Sequence, residues 1–281
     1  MSFDRRLTLI HQGTAARWLE GLVAADRYLD PRPTTCGAPS APLRRHPQEG
    51  AEQESLLLFG ERFDVLLEQA GFAFGQGPRD GYVGWVRSEA LEGPPLAATH
   101  RVRAIRTYAF SRPDIKSPPV GLYSLNALVT VEETDGRFAR AARSGWFMAD
   151  HLAPVGSGFE TDPAHVAMAF LGAPYLWGGR ESLGLDCSGL VQQALLACGL
   201  ACPRDTDMQA GIGMAIDRDQ LDRGDLVFWR GHVAMMLDPR TMIHANAHHM
   251  AVAIEGLDAA VARIEAAGAG GPTAFRRVNG V

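Results

Sequence analysis

The sequence predicts an α+β protein, and three observations carry that reading. Short strand-like runs crowd the front half, as in SLLLFG, RFDVLLEQAGFAFGQ and DGYVGWVRSEAL. Helical periodicity covers roughly 163–171 and 188–198. Strand signals follow at DLVFW, HVAMML, TMIHA and AVAIE, with a last candidate at TAFRRV, so the helices come first and do not alternate with strands. The 281 residues are 46% hydrophobic and 21% charged, with a net charge of −5 when His is neutral. That is a soluble globular balance, and it argues against a general nucleic-acid binder. No apolar run approaches the ~20 residues of a membrane helix.

From the N-terminus, residues 12–29 (QGTAARWLEGLVAADRYL) carry Ala15, Leu19, Leu22 and Val23 at near-helical intervals, so 1–33 is expected to be a helical segment. The Pro- and Gly-rich run 30–50 then breaks the helix. Residues 34–95 read as one small β-barrel and 96–156 as a second. Both end alike, in GWVRSEAL and GWFMADHL, which suggests two copies of one module. A linker leads to a last domain over 160–281, whose first helix is capped by Thr161 or Asp162 with Pro163 in its first turn. Arg5 and Arg6 precede only four mildly hydrophobic residues before His11, which is no secretory signal, so the expected location is cytoplasmic. Cys36, Cys187, Cys198 and Cys202 are few and irregularly spaced, as in a reducing compartment.

The stretch GLDCSGLVQQALLACGL puts Cys187 at the start of an apolar helix, with Asp186 or Ser188 as its cap. Unpaired backbone N–H groups there favour the thiolate and lower its pKa. Gly189 leaves the approach open, and Leu190, Val191, Ala194 and Leu195 supply the buried face. A packing cysteine is the other reading. A nucleophilic thiol needs a base, and His232 begins a strand in RGHVAMML. The base needs an orienter, and His244 lies on the next strand of a hairpin, on the face it shares with Met242. Together Cys187, His232 and His244 suit acyl transfer, with the Cys187 N–H donating to the oxyanion. His244, His248, His249 and Glu255 leave a zinc hydrolase open as a weaker alternative, since no HExxH helix occurs. No cofactor is expected.

YLWGG (175–179), DCSGL (186–190), PRDTDMQ (203–209), RGDLVFW (223–229), GHVAMML (231–237) and MIHA (242–245) resemble, in order and spacing, the NlpC/P60 family of papain-like cysteine peptidases, which cleave bacterial cell-wall peptides. The resemblance covers about 160–281. It implies Cys187 as nucleophile, His232 as base and His244 as the third polar residue, with Tyr175 helping the oxyanion region. It further implies Asp186 on the free amine of an N-terminal L-Ala, or as a cap only. Ser188 matches a pocket residue, and Arg204, Asp205 and Thr206 match groove positions, although Thr206 stands where many relatives carry Ser. The front half resembles the paired bacterial SH3-like domains of such peptidases, with Tyr82 as either a substrate-reading tyrosine or a barrel aromatic. The implied activity is hydrolysis of the γ-D-glutamyl bond to a diamino acid, with meso-diaminopimelate expected, in released murein peptides bearing a free L-Ala. A noncatalytic cell-wall-peptide-binding protein, or a papain-like amidase or acyltransferase of other specificity, remains the alternative. The oligomeric state is not legible.

Overall fold

The computed structural model describes residues 3–278. The chain forms two compact units, divided between Val155 and Gly156.

The first unit is all β apart from short 3-10 turns. The helix expected over 12–29 is absent. Ile10–His11 and Thr14–Ala16 form a hairpin instead, and Arg27–Leu29 adds in parallel to its second strand. The reason is local. Gln12 and Gly13 both have positive φ, 44° and 72°, the backbone of a tight two-residue hairpin turn. The apparent stripe is also not a buried one, because Leu22 is 72% exposed. Leu9 and Ala16 pack instead on Phe72, Phe74, Val83 and Trp85.

Seven antiparallel strands follow, in spatial order Leu91–Glu92, Arg32–Cys36, Arg62–Gln69, Phe72–Gln76, Val83–Arg87, Ser40–Arg44 and Gln53–Leu58. Both faces of the central strands are apolar. Phe72, Phe74, Val83 and Trp85 meet the N-terminal hairpin, while Ala73, Val86 and Tyr82 enter a second cluster with Phe63 and Val65. The next module has a five-stranded and a three-stranded sheet around Phe147, Tyr123, Val102 and Leu152. Leu56, Leu58 and Phe59 of the preceding module join this core. Half-buried Arg79 pairs with buried Glu61 at 2.6 Å and also donates to Asn126 O, which links the two modules. Among the described residues, neither module closes into a ring. The sequence echo is structural as well. GWVRSEAL and GWFMADHL each run strand, 3-10 turn at 88–90 or 149–151, then strand.

The second unit opens on helix α1 (Pro163–Met168), whose N–H groups at Ala164 and His165 donate to Asp162 Oδ1. Helices α2 (Cys187–Ala197), α3 (Thr206–Gln209) and α4 (Leu257–Ala266) follow. An antiparallel six-stranded sheet has the order Met214–Ala215, Ala274–Arg277, Leu226–Trp229, His232–Met236, Thr241–Asn246, Ala251–Gly256. Helix α4 was not expected. Its Leu257 and Ala260 pack on Val227, Trp229, Ala234, Met236 and Met242.

Candidate active site

Helix α2 starts at Cys187 because Asp186 caps it, with Asp186 Oδ1 accepting from Gly189 N at 2.7 Å. Leu190, Val191, Ala194 and Leu195 are each at most 1% exposed and anchor the helix. Gly189 answers a packing need: a Cβ there would lie 2.2 Å from Gly179 O, so the 175–185 loop presses on the first turn. The Cys187 sulfur lies 3.9 Å from Thr206 Oγ1 and 4.0 Å from Gly231 O, and the Val233 backbone N–H also points to it. It therefore sits beside the residue between Gly231 and Val233, which is His232.

His232 opens its strand. The pairing of Met236 with Met242 continues to place Ala234 opposite His244, so His232 and His244 are diagonal neighbours on one face. His232 Nε2 and His244 Nδ1 are 2.9 Å apart. That contact engages His232 Nε2 and leaves Nδ1 outside it. His244 Nε2, fully buried, lies 3.3 Å from Glu255 Oε2 but without the alignment of a hydrogen bond. Arg263 of α4 grips both oxygens of Glu255, at 3.0 and 2.6 Å.

The electrostatics differ from the expectation of a helix-mouth thiolate. Burial first, then the Asp186 carboxylate, push the Cys187 thiol up to about 11, and the Val233 and Ser188 amides and the Thr206 hydroxyl only partly offset this. Burial, with the Arg263 charge behind it, pulls His232 down to about 4 against the pull of Glu255. Burial and His232 depress His244, and hydrogen bonding to Arg263 depresses Glu255. The resting pair is a thiol beside a neutral imidazole. The Tyr175 phenol is held protonated by burial first, then by the nearby Cys187 and Asp186.

Residues 172–265 match the NlpC/P60 family, and residues 43–91 match the bacterial dipeptidyl-peptidase Sh3 domain. The chain carries an NlpC/P60 domain after a bacterial SH3 domain. The NlpC/P60 domain is that of a cysteine peptidase. The chain is 29% identical over 213 residues to the Gamma-D-glutamyl-L-lysine dipeptidyl-peptidase of Bacillus subtilis, covering 68% of this chain and 72% of that protein. It is 36% identical over 101 residues to Dipeptidyl-peptidase 6 of Lysinibacillus sphaericus, where the alignment spans 36% of this chain and only 37% of the relative. A crystal structure of an NlpC/P60 family protein from Bacillus cereus has the same fold, with a TM-score of 0.75 at 21% identity over 87% of this chain and 99% of that one.

The NlpC/P60 domain thus brings Cys187, His232, His244, Tyr175 and Thr206 together. Three expected binding residues of this domain, Asp186, Ser188 and Arg204, are buried and hydrogen-bonded to one another. Asp186 receives donors from Gly178, Ser188, Gly189 and Arg204 on its two oxygens, which exhausts the roughly four lone pairs of a carboxylate. It caps α2 and is the ion-pair partner of Arg204. Arg204, whose side chain is 1% exposed, pairs with Asp186 at 2.6 Å and donates to Ser188 Oγ at 2.8 Å, so the three form one buried polar cluster. A guanidinium that deep needs a carboxylate, and this need claims Asp186. In the first unit Tyr82 is 3% exposed and packs in the core with Leu43, Leu57 and Phe63. Asp205 precedes α3, half-buried beside Thr206.

A pocket of about 220 Å³ opens beside His232, lined in part by Trp229, Arg230, His248, Arg263 and Ile264. Trp229 Nε1 is buried in its wall with no hydrogen-bond partner among the described residues. Arg230 is exposed and has no ionic partner among them. Sequence reasoning missed Arg230, Arg263 and this pocket. The signal for α4 was available in Leu257, Ala260, Val261 and Ile264, an i, i+3, i+4, i+7 set.

Proposed function

We propose that the protein hydrolyses the γ-D-glutamyl bond to a diamino acid in small cell-wall peptides with a free N-terminal L-Ala. The observation that carries this is the His232–His244 hydrogen bond of 2.9 Å beside the Cys187 sulfur. His232 takes the thiol proton on its Nδ1 as the sulfur attacks the glutamyl carbonyl carbon. Its Nε2–H then donates to His244 Nδ1. The Tyr175 hydroxyl and the Cys187 backbone N–H donate to the oxyanion. His232 returns the proton to the leaving amine, and water releases the acyl group by the same route.

The B. subtilis relative's name supports the γ-D-glutamyl–diamino acid bond. The pocket beside His232 supports the leaving side. Its volume suits one side chain, and the partnerless Arg230 favours a second carboxylate, as in diaminopimelate, over the bare ammonium of lysine. At the other end, Asp205 beside Thr206 is our candidate for the free ammonium. Cysteines that are few and irregularly spaced support a reducing, cytoplasmic setting in which released peptides are recycled.

The deciding experiment is mass spectrometry of L-Ala-γ-D-Glu-diaminopimelate digestion, beside the N-acetylated peptide. L-Ala-D-Glu is expected from the free peptide alone. Cys187→Ala is expected to abolish release while keeping the circular dichroism spectrum, and full activity in that variant would refute the assignment. Arg230→Ala is expected to lower kcat/KM about tenfold for the diaminopimelate peptide and to leave the lysine peptide unchanged.

A further inference from the structure

We propose that His244, His249 and Glu255 form an inhibitory site for a divalent transition metal, Zn²⁺ above all, and that the bound ion disables the histidine pair. The inference rests on His232 being the base. One ligand atom from each of the three residues lies within 4.8 Å of the others. Two imidazoles and a carboxylate suit Zn²⁺, and its neighbours in the series, rather than Mg²⁺ or Ca²⁺. The two histidines have the ring edges such a site needs. His244 Nε2 is buried, without a hydrogen bond, and faces Glu255 Oε2 at 3.3 Å. Asn246 Oδ1 accepts from the His249 backbone N–H at 2.8 Å, so it must also accept from His249 Nδ1–H, at 2.9 Å. That fixes the ring proton on Nδ1 and leaves the Nε2 lone pair available, the outer-shell arrangement that orients metal-binding imidazoles. His249 is exposed and Glu255 half-buried, so an ion and a completing water have access. Arg263 keeps Glu255 ionised but adds an opposing charge, which suits reversible rather than structural binding.

The inhibition follows from where protons sit. To accept the thiol proton on Nδ1, His232 must carry its own proton on Nε2 and donate it to His244 Nδ1. His244 then holds its proton on Nε2. A metal on His244 Nε2 displaces that proton to Nδ1, from which it donates to His232 Nε2. His232 must in turn carry its proton on Nδ1, against the sulfur. Each ring keeps one proton, none is gained or lost, and the base is blocked.

The test is calorimetric titration of Zn²⁺ into Cys187→Ser, which removes the thiol as a competing ligand. One ion per chain is expected, and Cys187→Ser/His249→Ala is expected to lose affinity by at least about tenfold. In the active protein, His249→Ala and the milder His249→Gln are expected to leave the metal-free rate unchanged and to raise the half-inhibiting Zn²⁺ concentration by a similar factor, with Mg²⁺ inert. Absence of binding in Cys187→Ser, or equal inhibition of the wild type and both His249 variants, would put the ion on the thiol and overturn the site. Should no peptide be cleaved, the titration still decides the metal site, so the two readings fail separately.

Discussion

Cys187 shows how far a residue's surroundings can reverse a rule drawn from its position. Its place at a helix N-terminus favours the anion, but almost complete burial and the neighbouring Asp186 carboxylate outweigh the amides. Below its raised pKa the thiolate fraction grows tenfold per pH unit. The rate of Cys187 alkylation by iodoacetamide, taken against Cys187→Ala, is therefore expected to climb steadily from pH 7 to beyond 9. A plateau by pH 8 would show a pre-formed thiolate. The same residue scale marks what the sequence disclosed. The contact of His232 with His244 was legible because strand alternation puts the two histidines on one face, and the place of Cys187 at a helix start because Asp186 caps there. The pairing of Asp186 with Arg204 was not legible, because charged side chains are usually exposed. Nothing in a linear string announces that these two, 18 residues apart, satisfy each other inside the protein.

Between elements, the Asp186–Arg204 pair ties the first turn of α2 to the segment leading into α3. Removing one partner strands a buried charge. Asp186→Asn is expected to cost about 3–5 kcal/mol in denaturant unfolding, with the midpoint rather than the slope changing. A loss under 1 kcal/mol would mean that water reaches the guanidinium. Arg204→Met/Asp186→Leu, which removes both charges, is expected to recover much of that loss. Helix α4 escaped the sequence reading because its alanines and charges give a weak stripe, yet it supplies Arg263 and so fixes Glu255 under His244. The N-terminal segment erred the other way. Its apolar spacing imitated a helix, while the left-handed backbone at Gln12 and Gly13 folded it as a hairpin.

Across the whole chain, the α+β class was legible from the order of helical and strand signals. The joining of the two front modules through Leu56, Leu58 and Phe59 was not, because shared cores leave no local pattern. The division after Val155 has a consequence for expression. Residues 156–281 alone are expected to give a cooperative thermal transition and a retained Cys187-dependent alkylation signal. A molten, 1-anilinonaphthalene-8-sulfonate-binding fragment would show that the division is one of contacts and not of folding.

Gly189 carries no functional group, yet a saturation screen scored on growth or turnover should find it as intolerant as the nucleophile. The two failures have different origins. Cys187→Ser ought to yield a folded, inert protein, whereas Gly189→Ala drives a methyl against the Gly179 carbonyl and should appear in the insoluble fraction. Fitness maps of this molecule will therefore overstate the size of its chemical machinery unless abundance is measured beside activity.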